Sequence, residues 1–304
     1  MAKTIRLATF NAENLFARYR FREGQDPSPD GFTINQLAFD IYDEVDKRVT
    51  AQAIREVDAD VLCLQEVESL EVLDSFASRY LAAMKYRHRV VIDGNDPRCI
   101  DVGVLSRLPL ANLRTHRHER TAAGSAALFS RDCLEVDVDA GGKTLTLYVN
   151  HFKSMMGGRA ETRARRLEQV ARVAEIIDTR WKKGGYAGNF VVLGDFNDYM
   201  EAPTSLTKLV EHAQLVNVVD RLGAPERWTH FYAKEGEYKQ LDYLLLGRKL
   251  DERAGKPKPS VMRMGQPFRA ERYTGPRFPE VGQDDPKASD HCPVAVDLPV
   301  AALA

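Results

Sequence analysis

Nine short apolar runs constrain this 304-residue chain more than any other feature: residues 4–10 (TIRLATF), 60–67, 88–93, 102–106, 133–139, 144–152, 190–196, 241–246 and 293–298. Several are continuously apolar, as strands covered on both faces must be. Helical spacing recurs in only two stretches. From 44 to 57, Val45, Val49, Ala53, Ile54 and Val57 fall on one face; from 161 to 181, Leu167, Val170, Ala174, Ile177 and Trp181 do the same. Runs 133–139 and 144–152 are joined by Ala-Gly-Gly, which reads as a hairpin. Strands in excess over helices, some of them antiparallel neighbours, predict an α/β chain of mixed sheets with helices outside. Segments 17–43 and 251–287 are rich in Gly, Pro and charge, and are expected to be long loops near a binding cleft.

Hydrophobic residues make up 44% and charged residues 29%, so a large core is expected, and a formal net charge of −1 excludes a general polycation. No run has the length of a membrane span, and the first residues lack the apolar core of a secretory signal. Cys63, Cys99, Cys133 and Cys292 form no C-x-x-C pair, which argues against a structural zinc site or a disulfide scaffold. A cytoplasmic monomer is the expectation.

Six of the strands carry, at or near one end, polar groups that a core would not select. Asn11 follows the first run, Glu66 the second, and Asn150, His151 and Lys153 close the sixth. Asp195 and Asn197 close the seventh, Asp242 opens the eighth, and Ser289-Asp290-His291 precedes the last. Each alone is an ordinary turn or capping residue. Together, Asn11, Glu66, Asp195, Asn197 and Asp290 offer hard oxygen donors suited to Mg²⁺ or Mn²⁺. Asp242 and His291 suit a carboxylate–imidazole pair, and His151, Lys153 and Arg98 suit anionic oxygens. Such a set fits attack of water on phosphorus. Arg98 and Asp101 read equally well as substrate contacts or as a structural pair; His230 reads as a cleft residue or, better, as a packed loop histidine.

The ordered motifs TFNAENL, LQEVE, DVGVLSR, VNHFKS, GDFND, QLDYLLL and SDHCPV, spanning Thr9 to Val294, resemble the endonuclease/exonuclease/phosphatase superfamily of deoxyribonuclease I. The resemblance implies a four-layer α/β sandwich of two mixed β-sheets flanked by helices, and one domain over 1–304. It implies Glu66 as principal metal ligand, with Asn11 and Asp290 completing the metal environment. By the same resemblance Asp195 orients the attacking water or assists the leaving oxygen, Asn197 neighbours the phosphate, and His291 acts with Asp242. His151 matches the second histidine of the deoxyribonuclease and sphingomyelinase branches.

The motifs leave the ester open. Arg159, Arg163, Arg165, Arg166 and Arg172 follow the His151 strand, where they would meet a polyanion or form a solvated helix face. Loop aromatics Tyr19, Phe21, Trp228, Phe231 and Tyr232 would stack on bases or close loop cores. No amphipathic membrane anchor is evident. The expected substrate is therefore nucleic acid, DNA above all, with Arg98, Asn150, Lys153, Arg159 and Arg163 as substrate contacts. A phosphatase or phosphodiesterase of a small soluble ester, and a non-catalytic binding scaffold of the same fold, are the alternatives.

Overall fold

The computed structural model describes residues 4–25 and 28–304. In chain order its strands are β1 (Thr4–Leu15), β2 (Ala17–Phe21), β3 (Leu37–Ile41), β4 (Val61–Val67), β5 (His88–Val91), β6 (Asp101–Ser106), β7 (Leu110–Arg114) and β8 (Cys133–Asp139). They continue with β9 (Thr144–His151), β10 (Phe190–Asp195), β11 (Leu215–Asn217), β12 (His230–Tyr232), β13 (Glu237–Lys239), β14 (Asp242–Gly247), β15 (Ser260–Val261) and β16 (Val294–Pro299). The α-helices are α1 (Glu44–Val57), α2 (Leu70–Tyr80), α3 (Arg159–Trp181), α4 (Thr207–Val210) and α5 (Arg248–Arg253).

Two six-stranded sheets form, in the orders β15-β16-β1-β4-β6-β5 and β11-β14-β10-β9-β8-β7. Both are mixed: β1 runs parallel to β4 and antiparallel to β16, and β10 runs parallel to β9 and antiparallel to β14. Strand periodicity then sorts the side chains into layers. Leu7, Cys63, Val149, Leu193, Leu244 and Val296 share one core between the sheets. Phe10, Leu62 and Leu64 face the other way and pack with Val49 and Ile54 of α1 and Phe76 of α2. Tyr148, Val192 and Leu245 likewise meet Val170, Val173 and Ile177 of α3. The result is the four-layer sandwich expected.

All nine anticipated strands are present, and α1 has the anticipated bounds. Val45, in the first turn of α1, and Leu167, at the rim of α3, are instead exposed, at 45% and 38%. Helix α2 has a legible signal that the nine-strand reading passed over: Ser69 caps it, accepting from Val72 N, and Val72, Leu73, Phe76 and Ala77 follow at helical spacing. Segment 17–43, of which residues 26–27 lie outside the described residues, is not simply a loop, because β2 and β3 pair within it as a ribbon. Segment 251–287 is largely irregular but well packed, with Ala270 and Gln266 buried.

Candidate active site

The two-residue period that builds the inter-sheet core also builds the site. Asn11, His151, Asp195 and Asp242 each occupy the position at which the inward-facing row of β1, β9, β10 or β14 ends, so they cap the core where the apolar residues stop. By that parity Glu66 belongs with Leu62 and Leu64 on the outer face. Its left-handed backbone (φ 63°) and the register shift between Gln65 and Val67 turn the side chain towards the cleft instead, as bulges beside active sites do. Asn11 Nδ2 reaches both Glu66 Oε1 (3.3 Å) and Asp195 Oδ2 (3.1 Å).

Asp195 is the point of convergence. Its carboxylate accepts from Asn197 N at 2.8 Å, from Asn197 Nδ2 at 2.9 Å and from Asn11 Nδ2, while His151 Nε2 lies 3.5 Å away and His291 Nε2 3.8 Å away. Burial pushes this carboxyl up to about 6, against the pull of the His291 charge. His291 Nδ1 lies 2.8 Å from Asp242 Oδ2. Burial alone would lower the imidazole, but Asp242 and Asp195 outweigh it and hold His291 well above its ordinary value, hence charged. His151 goes the opposite way: burial, reinforced by the Arg131 guanidinium, keeps it neutral.

The Ser289–His291 segment is fixed from three directions and by one bond within itself. Ser289 Oγ donates to Asn11 O at 2.8 Å, His291 N donates to Ser289 Oγ at 2.9 Å, and Thr50 of α1 donates to Ala288 O. Gln266 Nε2, from the long segment after α5, donates to both Ser289 O and His291 O at 3.0 Å. That segment therefore positions the site, although among the described residues none of 17–43 or 251–287 lines the cleft itself.

The cleft has a volume of about 710 Å³ and is lined by Glu66, His151, Asp195, Asn197, Asp290 and His291 among others. Arg98 and Arg159 also line it. Asn150, Lys153 and Arg163 do not. Asn150 is one residue out of phase with His151, so it faces away, and its Nδ2 donates to Tyr148 O. Arg163 Nη2 donates to Thr204 O at 2.9 Å. The arginine-rich helix is mostly engaged internally. Arg159 binds Asp198 Oδ1 at 2.6 Å and stacks on Tyr199, Arg166 is fully buried beside Asp198, and Arg172 pairs with Glu119. Arg98 and Asp101 do not pair: Arg98 binds Asp96, and Asp101 accepts from Gly94 N. Of the loop aromatics, Trp228 and Phe231 are buried in a satellite core and only Tyr232 reaches the cleft.

Sequence reasoning missed Arg131, Glu13 and the placement of His230. Arg131 is buried, 3.5 Å from Asp96, with its guanidinium at the cleft wall. A buried Arg-Asp pair opening an apolar strand, as Arg131-Asp132 does before β8, was the available signal. Glu13 accepts from Asp290 N and approaches Lys287 at 3.3 Å; burial and the Asp290 charge push its carboxyl up to about 7. His230 is not packed away in a loop core: it lines the cleft, 3.4 Å from Asp290.

A sequence profile of the endonuclease/exonuclease/phosphatase family matches residues 6–252. The chain belongs to this family. Family membership supports phosphoesterase activity and leaves the ester open. A search of curated proteins found no match. Among solved structures, truncated TDP2 of Caenorhabditis elegans superposes with a TM-score of 0.60 at 15% identity, covering 97% of each chain. The human nocturnin catalytic domain with bound sulfate gives 0.61 at 16% identity, covering 98% of this chain and 94% of that one. An endonuclease/exonuclease/phosphatase protein of Beutenbergia cavernae gives 0.60 at 18% identity, covering 98% and 72%. At such identities the likeness establishes the deoxyribonuclease I-like fold alone.

Proposed function

We propose that the protein is a divalent-metal-dependent phosphodiesterase acting on nucleic acid, DNA above all, through contacts confined to the cleft. The observation that carries this reading is the convergence on Asp195: a carboxylate held by three amide hydrogens, with a neutral and a charged imidazole 3.5 and 3.8 Å away. A binding scaffold has no need of an oriented acid–base set of this kind.

The donors suit the expected metal. Glu66 accepts only from Asn11 and Asn14 N, and among the described residues no Lys or Arg lies within ion-pair distance of it. An oxygen-donor carboxylate without a cation is what Mg²⁺ or Mn²⁺ would satisfy, with Asn11 and Asp290 as the further donors. Such an ion supplies charge stabilisation at the phosphoryl oxygen and a more acidic water. Asp195 orients the water and Asn197 holds Asp195. His291, kept charged by Asp242, stabilises the developing negative charge, and neutral His151 donates to a phosphoryl oxygen. Arg98 and Arg131 on the cleft wall meet the phosphate, and Tyr232 offers a ring face to a base.

Internal engagement of Arg159, Arg163 and Arg166 favours a second reading, a small soluble phosphate ester that never leaves the cleft. Turnover of plasmid, single strands, RNA, a chromogenic diester and phosphomonoesters with Mg²⁺ or Mn²⁺ separates the two. Cleavage of phosphomonoesters alone would overturn the nuclease reading. The single-domain reading is part of the proposal, supported by the pairing of β16 with β1 and by one core shared between the sheets. So is cytoplasmic placement, supported by four free cysteines, three of them buried. No helix of the described residues is long and apolar enough to cross a membrane.

A further inference from the structure

His230 belongs to no motif and has no part in the chemistry above, yet it stands at the cleft floor against two residues that do. Its Nε2 lies 3.4 Å from Asp290 Oδ2, and His291 Nε2 lies 3.9 Å from Asp290 Oδ1. One donor atom from each of the three residues falls within 4.8 Å of the others. The two imidazole rings are 4.6 Å apart. For metal bonds of about 2.0–2.1 Å, donors at the corners of a tetrahedron stand about 3.3 Å apart, so modest side-chain rotation closes the set.

Three further features prepare these residues for a metal. His291 Nδ1 is committed to Asp242, which fixes the ring and leaves Nε2 for the cleft; a carboxylate behind a ligating imidazole raises its basicity. The backbones are clamped together: His230 and His291 form a β-bridge, Phe231 N donates to Asp290 O at 2.9 Å, and Cys292 N donates to Thr229 O at 2.6 Å. The two rings are thus held side by side, tilted 54° to one another, before any ligand arrives. Finally, the carboxylates of Asp195, Asp242 and Asp290 surround His291, and their negative field favours a doubly charged cation.

We propose that His230 Nε2, Asp290 and His291 Nε2 form a binding site for a borderline divalent transition-metal ion of the Zn²⁺ type. Two imidazoles and one carboxylate with a solvent-facing fourth position form a nitrogen-rich set, unlike the oxygen-only donors at Glu66. Occupancy ties up His291 Nε2, so Zn²⁺ inhibits turnover supported by Mg²⁺.

The test uses the full chain, stripped with chelator and held in excess Mg²⁺. Co²⁺ is titrated with visible absorption as the readout, and Zn²⁺ by calorimetry. One Co²⁺ per chain should bind with the intense visible bands of a four- or five-coordinate site, and stoichiometric Zn²⁺ should bleach them. His230→Ala and His230→Gln should each weaken Zn²⁺ at least tenfold. Asp242→Asn should weaken it about 10–100-fold through loss of the carboxylate behind the ring. Glu66→Gln, which frees the shared Asp290 from Mg²⁺, should leave Zn²⁺ affinity unchanged or raise it. Melting temperatures without metal confirm that the variants fold, and the upward shift given by Zn²⁺ to the parent should vanish in both His230 variants. Equal Zn²⁺ affinity in parent and His230 variants, or no Zn²⁺ binding, overturns the proposal. An affinity that falls with Glu66→Gln as steeply as with His230→Ala does so too, because it places the ion at the oxygen donors.

Discussion

Asp195 and Asp242 stand directly opposite each other in the β10–β14 ladder, both buried, with His291 bridging them: Nδ1 lies 2.8 Å from Asp242 and Nε2 3.8 Å from Asp195. Like charges directly opposite in a sheet repel, and buried ones cost far more without a partner. The imidazolium is therefore structural and chemical at once. His291→Ala should destabilise the fold by about 3–5 kcal/mol, as loss of one partner of a buried pair does. His291→Ala/Asp242→Asn should recover much of that, because the second change removes one stranded charge. In turnover the two variants should lose similar rate, about 10²–10⁴-fold, since groups acting as a unit are non-additive. Urea denaturation and kcat measured on the same set check both halves; additive losses in stability and in rate would refute the bridge.

Glu66 supplies the second expectation. Among the described residues its carboxylate meets only two hydrogen-bond donors and no Lys or Arg, so Glu66→Gln keeps a side-chain oxygen for Asn14 N while removing the charge. The fold should be unchanged within about 0.5 kcal/mol, and the Mg²⁺ needed for half-maximal rate should rise at least tenfold. EDTA should abolish turnover in the parent. Full activity after chelation and dialysis would remove Glu66 from the metal site.

These two residues also mark the limit of what the chain discloses. The apolar runs made the nine strands legible, and the polar residues at their ends made most of the site legible, because a strand's period fixes which face each terminal residue joins. The same period misplaces Glu66, whose direction depends on a bulge, whereas Asn150 obeys it and lies on the far side of its strand from His151. His230 favours a packed loop by its local sequence for another reason. Its neighbours arrive through a β-bridge to His291, sixty-one residues away by number, and no local pattern encodes a bridge between the start of β12 and the segment before β16. Arg159 and Arg163 look solvent-directed on a helix, but their partners Asp198 and Thr204 lie some forty residues on.

Asp101 gives a dependence on pH. Burial pushes its carboxyl up to about 6, with Gly94 N the opposing hydrogen-bond donor. A carboxyl whose folded value is raised contributes stability below its unfolded value near 4, and that contribution is lost as pH climbs through 6. At pH 7 the charged form is a net burden of at most about 3 kcal/mol. Asp101→Asn keeps an oxygen for Gly94 N and removes the charge. The variant should melt higher than the parent at pH 7, and the two should converge near pH 4. A difference independent of pH would contradict the shift.

The arginines decide how far the substrate extends. A duplex tracked along α3 would release counterions there, and neutralising two contacts would flatten the dependence of log kcat/KM on log salt by roughly two units. Arg159 already donates to Asp198 Oδ1 and to the carbonyls of Tyr199 and Glu201, and Arg163 to Thr204 O. Arg159→Ala/Arg163→Ala should therefore change the salt slope on DNA by less than one unit. It should instead lower stability by about 1–3 kcal/mol, because Asp198 loses a charged donor. Arg98 differs in exposure: on the same cleft wall as Arg159, its side chain is half exposed where that of Arg159 is largely covered. Arg98→Ala should flatten the DNA slope by roughly one unit and raise KM for a small diester as well, since a phosphate in the cleft meets it whatever is attached. A slope that collapses in the Arg159/Arg163 variant and not in Arg98→Ala would place the polymer on the helix and return the arginine-rich run to the role its sequence suggests.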